Sequence, residues 1–302
     1  MINAKSEYQS NVVGILLGIC GYSIFVLLDS LIKKFLINEY PVFQINFFIS
    51  MFMLIPIIIT LFFLKSWSTL LNNKIHIQLI RGALGVFSGA LIINSFKNHS
   101  FSEIYPILFS TPLILTIFSF FFLKEKVGIK RILAVLIGFL GVLFVARPGT
   151  VHFSLPLFGL FISSIILATN IIIIRKLASS QSAIAFTFWG SISGMVISGL
   201  IVSSDIIYIK NDDFIIFLIC GIICGIAALC ISGASKILES STFAPIQYIQ
   251  IIFGFIFGYI FFRDIPDIYE IIGSIIIITS GLFIIYREYK LGLKSFVKDQ
   301  LN

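Results

Sequence analysis

Residues 243–267 read FAPIQYIQIIFGFIFGYIFFRDIPD, and residues 105–127 read YPILFSTPLILTIFSFFFLKEKV. Each is a long apolar run that opens with a proline and several polar side chains and closes on a short charged cluster. Such runs are too long and uninterrupted for alternating strands. They are long enough to cross a bilayer as helices, which takes about 20 apolar residues. A shift of 139 residues lays one run on the other, with Pro106 on Pro245, Ser102 on Ser241, Lys124 on Arg263 and Glu125 on Asp264. The same shift sets LIRGALGVFSGA (79–90) over LICGIICGIAAL (218–229). A shift of 141 sets LLDSLIKKF (27–35) over ATNIIIIRK (168–176), pairing Asp29 with Asn170 and Lys34 with Arg175. One unit is written twice.

Composition extends this to the whole chain. Its 302 residues are 58% hydrophobic and 12% charged, where a soluble domain carries roughly 25% charge. Apolar spans are predicted near 11–35, 41–64, 77–97, 103–123, 129–146, 155–174, 182–204, 213–235, 241–262 and 268–286, with short connections that leave no room for a soluble domain. The first span runs past Cys20 to Leu28 and lacks an A-x-A-like site, so it reads as a retained helix, not a cleaved leader. Five spans per unit is an odd number, so the second unit enters the membrane from the opposite side. The expectation is an all-α membrane protein of ten transmembrane helices in two inverted five-helix repeats, residues 1–150 and 151–302, the second ending in a basic tail.

Charge sets the orientation. Lys33, Lys34, Lys97, Arg147, Lys210 and Arg263 fall on one side, and all the other Lys and Arg residues fall on the side of the N-terminus. The positive-inside bias then predicts both termini in the cytoplasm of a multi-pass plasma-membrane protein, the inner membrane in a bacterium. The net charge of +7 reads as topology and attraction to anionic lipids, not as nucleic-acid binding. Lys290, Lys294 and Lys298 recur every fourth residue and predict a short interfacial helix.

The order of these phrases resembles the drug/metabolite transporter superfamily, in particular its EamA branch. The resemblance rests on RG at the start of the third span, P-x5-P in the fourth, LKE at its end and GFLGVLFVARP in the fifth. APIQYIQIIFGFIFGYIFFRDIPD and GSIIIITSGLFIIYRE complete it, and it covers about residues 12–288. It implies ten helices and solute movement by alternating access without an ATPase. The APxxYxx and LDSLIKKF phrases resemble members that move amino acids or S-adenosylmethionine-like metabolites.

Polar residues inside apolar spans are the candidates for the substrate path, because a polar group facing lipid goes unsolvated. Gln247, Gln250, Gly254 and Gly258 share one helical stripe. Gln247 and Gln250, with Tyr248, Thr111, Trp189 and Asn170, are expected to line a central cavity between the halves. Arg81, one turn inside the third span, either snorkels to the headgroups or meets an anionic substrate or an acid of an inner gate. Asp29 is the acid placed well inside a span, and Lys33 stands one turn on, at i+4. The pair reads either as a structural ion pair or as a coupling site in which Asp29 takes a proton or a cationic group. Five G-x-x-x-G pairs, Gly14/Gly18, Gly85/Gly89, Gly190/Gly194, Gly221/Gly225 and Gly254/Gly258, predict close helix packing.

No P-loop, H-E-x-x-H or G-x-S-x-G occurs, and Cys220 and Cys224 share a helix face without His or acid beside them. No metal, cofactor or catalytic residue is expected. Two functions stand: a secondary transporter of a small organic metabolite, or an intramembrane enzyme or lipid-handling protein. The second would cluster titratable groups at one depth, where this chain offers Asp29 and Lys33. Expected partners are a small-molecule substrate, membrane lipids and a proton or counter-substrate, with the protein a monomer or homodimer.

Overall fold

The computed structural model describes residues 2–70, 75–124, 129–147, 154–177, 181–203, 205–238, 243 and 246–300, excepting the side chains of 2–10, 131, 284, 285 and 287–300. Pro245, Glu125 and Lys290, Lys294 and Lys298 therefore lie, whole or in their side chains, outside the described residues. The described chain is all-helical: α1 Ile2–Leu31, α2 Val42–Leu64, α3 Ile75–Ser95, α4 Phe101–Leu108, α5 Ser110–Leu123, α6 Ile129–Ala146, α7 Leu155–Leu177, α8 Ala183–Val202, α9 Asn211–Ile237, α10 Ile249–Phe257 and α11 Ile268–Gln300. Two helices end in π turns, α1 at Ile32–Leu36 and α10 at Gly258–Phe262. The basic tail is a continuation of α11 and not a separate helix.

Among the described residues, seven stretches are long and apolar enough to cross a membrane: Asn11–Leu36, Val42–Leu64, Ile75–Ser95, Phe101–Leu123, Leu155–Leu177, Ala183–Val202 and Asn211–Ile237. Three shorter apolar stretches, Ile132–Ala146, Ile249–Phe262 and Ile268–Phe283, fall where the fifth, ninth and tenth spans are expected.

Packing repeats itself across the two halves. α1 lies on α9 and α3 on α7; α2 lies on α9 and α3 on α8; α1 lies on α10 and α5 on α7. Exchanging each helix for its counterpart turns one member of every pair into the other, while α2–α8 and α6–α11 map onto themselves. Single residues obey the same rule. Gly82 is pressed against Ser193, and its counterpart Gly221 against Phe52, the residue that corresponds to Ser193. A methyl at Gly221 would come within 3.0 Å of Phe52 Cα, so this interface exists because both positions lack a Cβ. Lys124 and Arg263 end their helices in the left-handed conformation, at φ 56° and 60°, the usual device for stopping a helix.

The fourth span is broken. Pro112 has no N–H for the Leu108 carbonyl, and the helix halts at Phe109 before restarting as α5. Ser110 Oγ donates to the Ile107 carbonyl at 2.8 Å, and Ser164 Oγ of α7 lies 3.4 Å from the Leu108 carbonyl oxygen. The second half is interrupted at the corresponding place, where Gln247 and Tyr248 form a turn before α10.

Candidate functional site

The two interruptions meet. Phe109 and Tyr248 pack as tilted rings with centroids 5.6 Å apart, and Phe109 continues to Tyr105 at 6.5 Å, Phe101 at a further 5.3 Å and Phe96 at 5.7 Å. This aromatic row runs along α4 toward one end of the bundle. At its middle the Tyr105 hydroxyl donates to Asp29 Oδ2 at 2.9 Å. Tyr105 is 1% exposed while Asp29 is only half-buried. Gly254 of α10 lies flat on the Tyr105 ring. Three helices, α1, α4 and α10, thus converge on one carboxylate.

The expected ion pair between Asp29 and Lys33 is not formed. Lys33 falls in the π turn Ile32–Leu36 that closes α1. Its Nζ instead donates to the His99 carbonyl at 2.6 Å, lies 3.9 Å from Asp264 Oδ2 and sits 4.9 Å from the Phe101 and Phe262 centroids. His99 in turn contacts Glu103 Oε2 at 3.1 Å and Ser154 Oγ at 2.7 Å. Beside it a cavity of about 110 Å³ is lined by Glu103, Arg147 and Asp267 over Ile107 and Leu157. Arg147 pairs with Asp267 and covers the Tyr269 ring at 4.4 Å. Its hydrogen bond to Asp267 raises its pKa above the usual arginine value. Burial pushes the Asp267 carboxyl up, but the hydrogen bonds from Arg147 and from backbone outweigh it, and the group is held below the usual carboxylate range. This end of the bundle is closed by charge pairs that cross between the halves.

The opposite end is closed differently. Trp189 Nε1 donates to the Leu70 carbonyl at 3.1 Å and Ser182 Oγ to Thr69 at 3.1 Å. Trp189 is therefore a bridge to the 67–70 turn and does not face the Asp29 site. Arg81 turns inward to the Phe186 carbonyl of α8 and does not reach for headgroups.

Of the remaining expected site residues, Thr111 and Asn170 are buried, each with a side-chain oxygen that has no hydrogen-bond partner. Asn170 faces Gly85 of α3, with its Nδ2 4.0 Å from where a methyl there would stand. Gln247, Tyr248 and Gln250 are 5%, 6% and 8% exposed, so the amide stripe of α10 turns inward. Sequence reasoning missed Tyr105 as the partner of Asp29, Asp264 as that of Lys33, and the buried amides Gln44 and Gln78. The last two carry a readable signal, a glutamine within an apolar span.

Comparison with known proteins places this geometry. The profile of the EamA-like transporter family matches residues 12–147 and again residues 154–286. The chain is 24% identical over 254 residues to the S-adenosylmethionine uptake transporter of Rickettsia felis, covering 84% of this chain and 85% of that protein. It is 25% identical over 229 residues to human solute carrier family 35 member G1, covering 70% and 62%. It is 25% identical over 185 residues to the riboflavin transporter of Vibrio cholerae, covering 61% and 62%. One solved crystal structure superposes with a TM-score of 0.66 over 91% of this chain and 95% of its own, at 13% identity, a likeness of fold alone. The chain belongs to the EamA-like transporter family and is a multi-pass plasma-membrane transporter of a small molecule, not an enzyme.

Proposed function

We propose that the protein carries a small organic metabolite, an amino acid or an S-adenosylmethionine-like compound, by alternating access between two inverted five-helix repeats, residues 1–150 and 151–302. In this reading all ten apolar stretches cross the membrane, both termini are cytoplasmic, and the Lys33 end faces outward. The observation that carries it is the Asp29–Tyr105 pair at the waist, where the two interrupted helices touch through Phe109 and Tyr248. A charge at mid-membrane depth is costly and is kept where it serves a pathway. Interrupted helices at corresponding places of two repeats mark the substrate site.

Gln247, Tyr248, Gln250, Thr111 and Asn170 line the path in this proposal, because each is a polar group drawn inside an apolar helix. Trp189 and Arg81 stand at its cytoplasmic mouth. Asp29 is the coupling carboxylate, and Lys33 acts with Asp264 at the outer mouth. The S-adenosylmethionine uptake relatives favour that substrate class. The test is counterflow of labelled S-adenosylmethionine and labelled amino acids in liposomes holding the purified protein. Saturable exchange of unchanged solute supports the reading. Wild-type rate, affinity and pH response in Asp29→Asn would remove Asp29 from coupling.

A further inference from the structure

Arg81 belongs to a chain of four side chains at the end opposite Lys33. Its Nε donates to Gln78 Oε1 at 3.3 Å, and one Nη donates to the Phe186 carbonyl. Gln78 Nε2 donates to Gln181 Oε1, and Lys236 Nζ donates to the Gln181 carbonyl at 2.9 Å. The chain ties α3 to the α7–α8 turn and to the end of α9. Two cations take part, yet every acceptor they meet is a neutral carbonyl or amide oxygen. Among the described residues no carboxylate bonds either one.

The polarity of the chain is fixed. A guanidinium only donates, so Gln78 must turn its oxygen toward Arg81. Its nitrogen then faces Gln181, which must answer with oxygen. Gln181 Nε2 is left over as a donor. It is buried and has no hydrogen-bond partner, in a residue 6% exposed beside Gln78 at 1%. A buried donor without an acceptor is destabilising, and a guanidinium withdrawn from water without a counter-charge adds to that. The surplus is all of one kind: donors and positive charge, with nothing to accept.

We propose that Arg81, Gln181 and Lys236 form a subsite for a small oxyanion, a carboxylate or phosphate, at this mouth of the pathway. The charge and the spare donor match an anionic oxygen, a role that no carboxylate among the described residues fills. As a step in transport the subsite rests on the reading that the chain conducts a metabolite, but its binding assay requires no transport, so the two fail separately.

The assay is thermal unfolding of the protein in a neutral detergent, titrated with acetate, phosphate or a short-chain phosphatidylglycerol against chloride at equal ionic strength. Wild-type protein is expected to show a saturable rise in Tm with acetate or phosphate. Arg81→Gln should weaken that response at least about tenfold, the lower bound for a hydrogen bond to a charged group. Gln181→Glu supplies the missing carboxylate from within. It should raise Tm without ligand and abolish the response, so its result is readable even if Arg81→Gln does not fold. A rise with phosphatidylglycerol alone keeps the subsite and assigns it to a lipid headgroup. Equal responses to chloride and oxyanions in wild type overturn the proposal, as do variants Arg81→Gln or Gln181→Glu that respond like wild type.

Discussion

Phe109 and Tyr248 stand 139 residues apart, occupy the same place in the two repeats, and touch each other with ring centroids 5.6 Å apart at 49°. Residues that correspond in two repeats can touch only where the axis relating the repeats passes between them. The waist of the molecule is therefore built from the break between α4 and α5 and the turn that precedes α10. Tyr248 is held on its other side by Gly281 of α11, where any Cβ would overlap the ring.

Truncation at this contact should be expensive and coupled. Phe109→Ala and Tyr248→Ala are each expected to lower unfolding stability by about 3 kcal/mol through the cavity left behind. The double variant should cost less than the sum by about 0.5–1.5 kcal/mol, the part that belongs to the aromatic pair. Denaturation of the four proteins in one detergent measures this; strict additivity would show that the rings do not support each other.

Gly254 admits α10 to the Tyr105 ring. A methyl there would meet Tyr105 Cε2 at 2.8 Å, and Tyr105, fully enclosed, has nowhere to retreat. Gly254→Ala should cost about 1–3 kcal/mol from overpacking and displace the hydroxyl from Asp29. Tyr105→Phe removes the hydroxyl without the clash. If both variants reduce transport while only Gly254→Ala lowers Tm markedly, the hydrogen bond and the packing are separate contributions.

Lys33 and Asp264 should behave as partners, and Lys33 and Asp29 should not. Both members of the first pair are partly exposed, so the coupling in a double-mutant cycle of Lys33→Met with Asp264→Asn is expected near 1 kcal/mol or below. The cycle of Lys33→Met with Asp29→Asn should return about zero. Coupling in the second cycle and none in the first would restore the pairing that i+4 spacing suggests.

That difference shows what the sequence could and could not carry. Apolar length, the 139-residue shift and the prolines made the helices, the duplication and the inward stripe of Gln247 and Gln250 legible, because these depend on local composition and period. The partners of Lys33, the His99 carbonyl and Asp264, are supplied by residues 66 and 231 positions further along the chain. The partner of Asp29 comes from a helix 76 residues away. Arg81 shows the same limit: its depth in α3 was readable, but whether it reached outward or across to Phe186 was decided by the α3–α8 packing that Gly82 permits.

Acid should loosen the Lys33 and Arg147 end first. Asp267 lies outside the apolar stretches and its carboxyl is held below the usual carboxylate range by Arg147 and by backbone donors, against the upward push of burial. A lowered folded pKa means that the stabilising contribution is complete above the ordinary aspartate value of about 3.9. It is lost as the pH falls through the lower folded value. Asp267→Asn should lower Tm at pH 7 and should flatten the part of the Tm profile between about pH 4 and 2. An acid limb identical to wild type would show that Asp267 does not govern it. The pair is exposed enough that the effect should shrink with added salt.

Trp67 and Tyr208 test the topology. They are 141 residues apart, the same shift that pairs Asp29 with Asn170, so they correspond in the two repeats. Both are open to their surroundings, at 49% and 83% exposure. Trp and Tyr collect at the headgroup level on both faces of a bilayer, and an inverted repeat carries corresponding residues to opposite faces. Tyr208 sits on an extended strap, 205–210, which Gln44 fixes by accepting from the Ile207 N–H at 2.9 Å and donating to its carbonyl at 2.6 Å. Trp67 opens the short turn whose last carbonyl, at Leu70, takes the Trp189 indole. The two anchors are therefore tied to opposite ends of the bundle. Single cysteines introduced as Trp67→Cys and Tyr208→Cys, in a background with the four native cysteines replaced, should label with an impermeant maleimide from opposite sides of the membrane. Position 208 should react in intact cells and position 67 only after the cytoplasmic face is opened. Labelling of both from one face would overturn the inverted arrangement, and reversal of the two would keep the inversion while placing the termini outside.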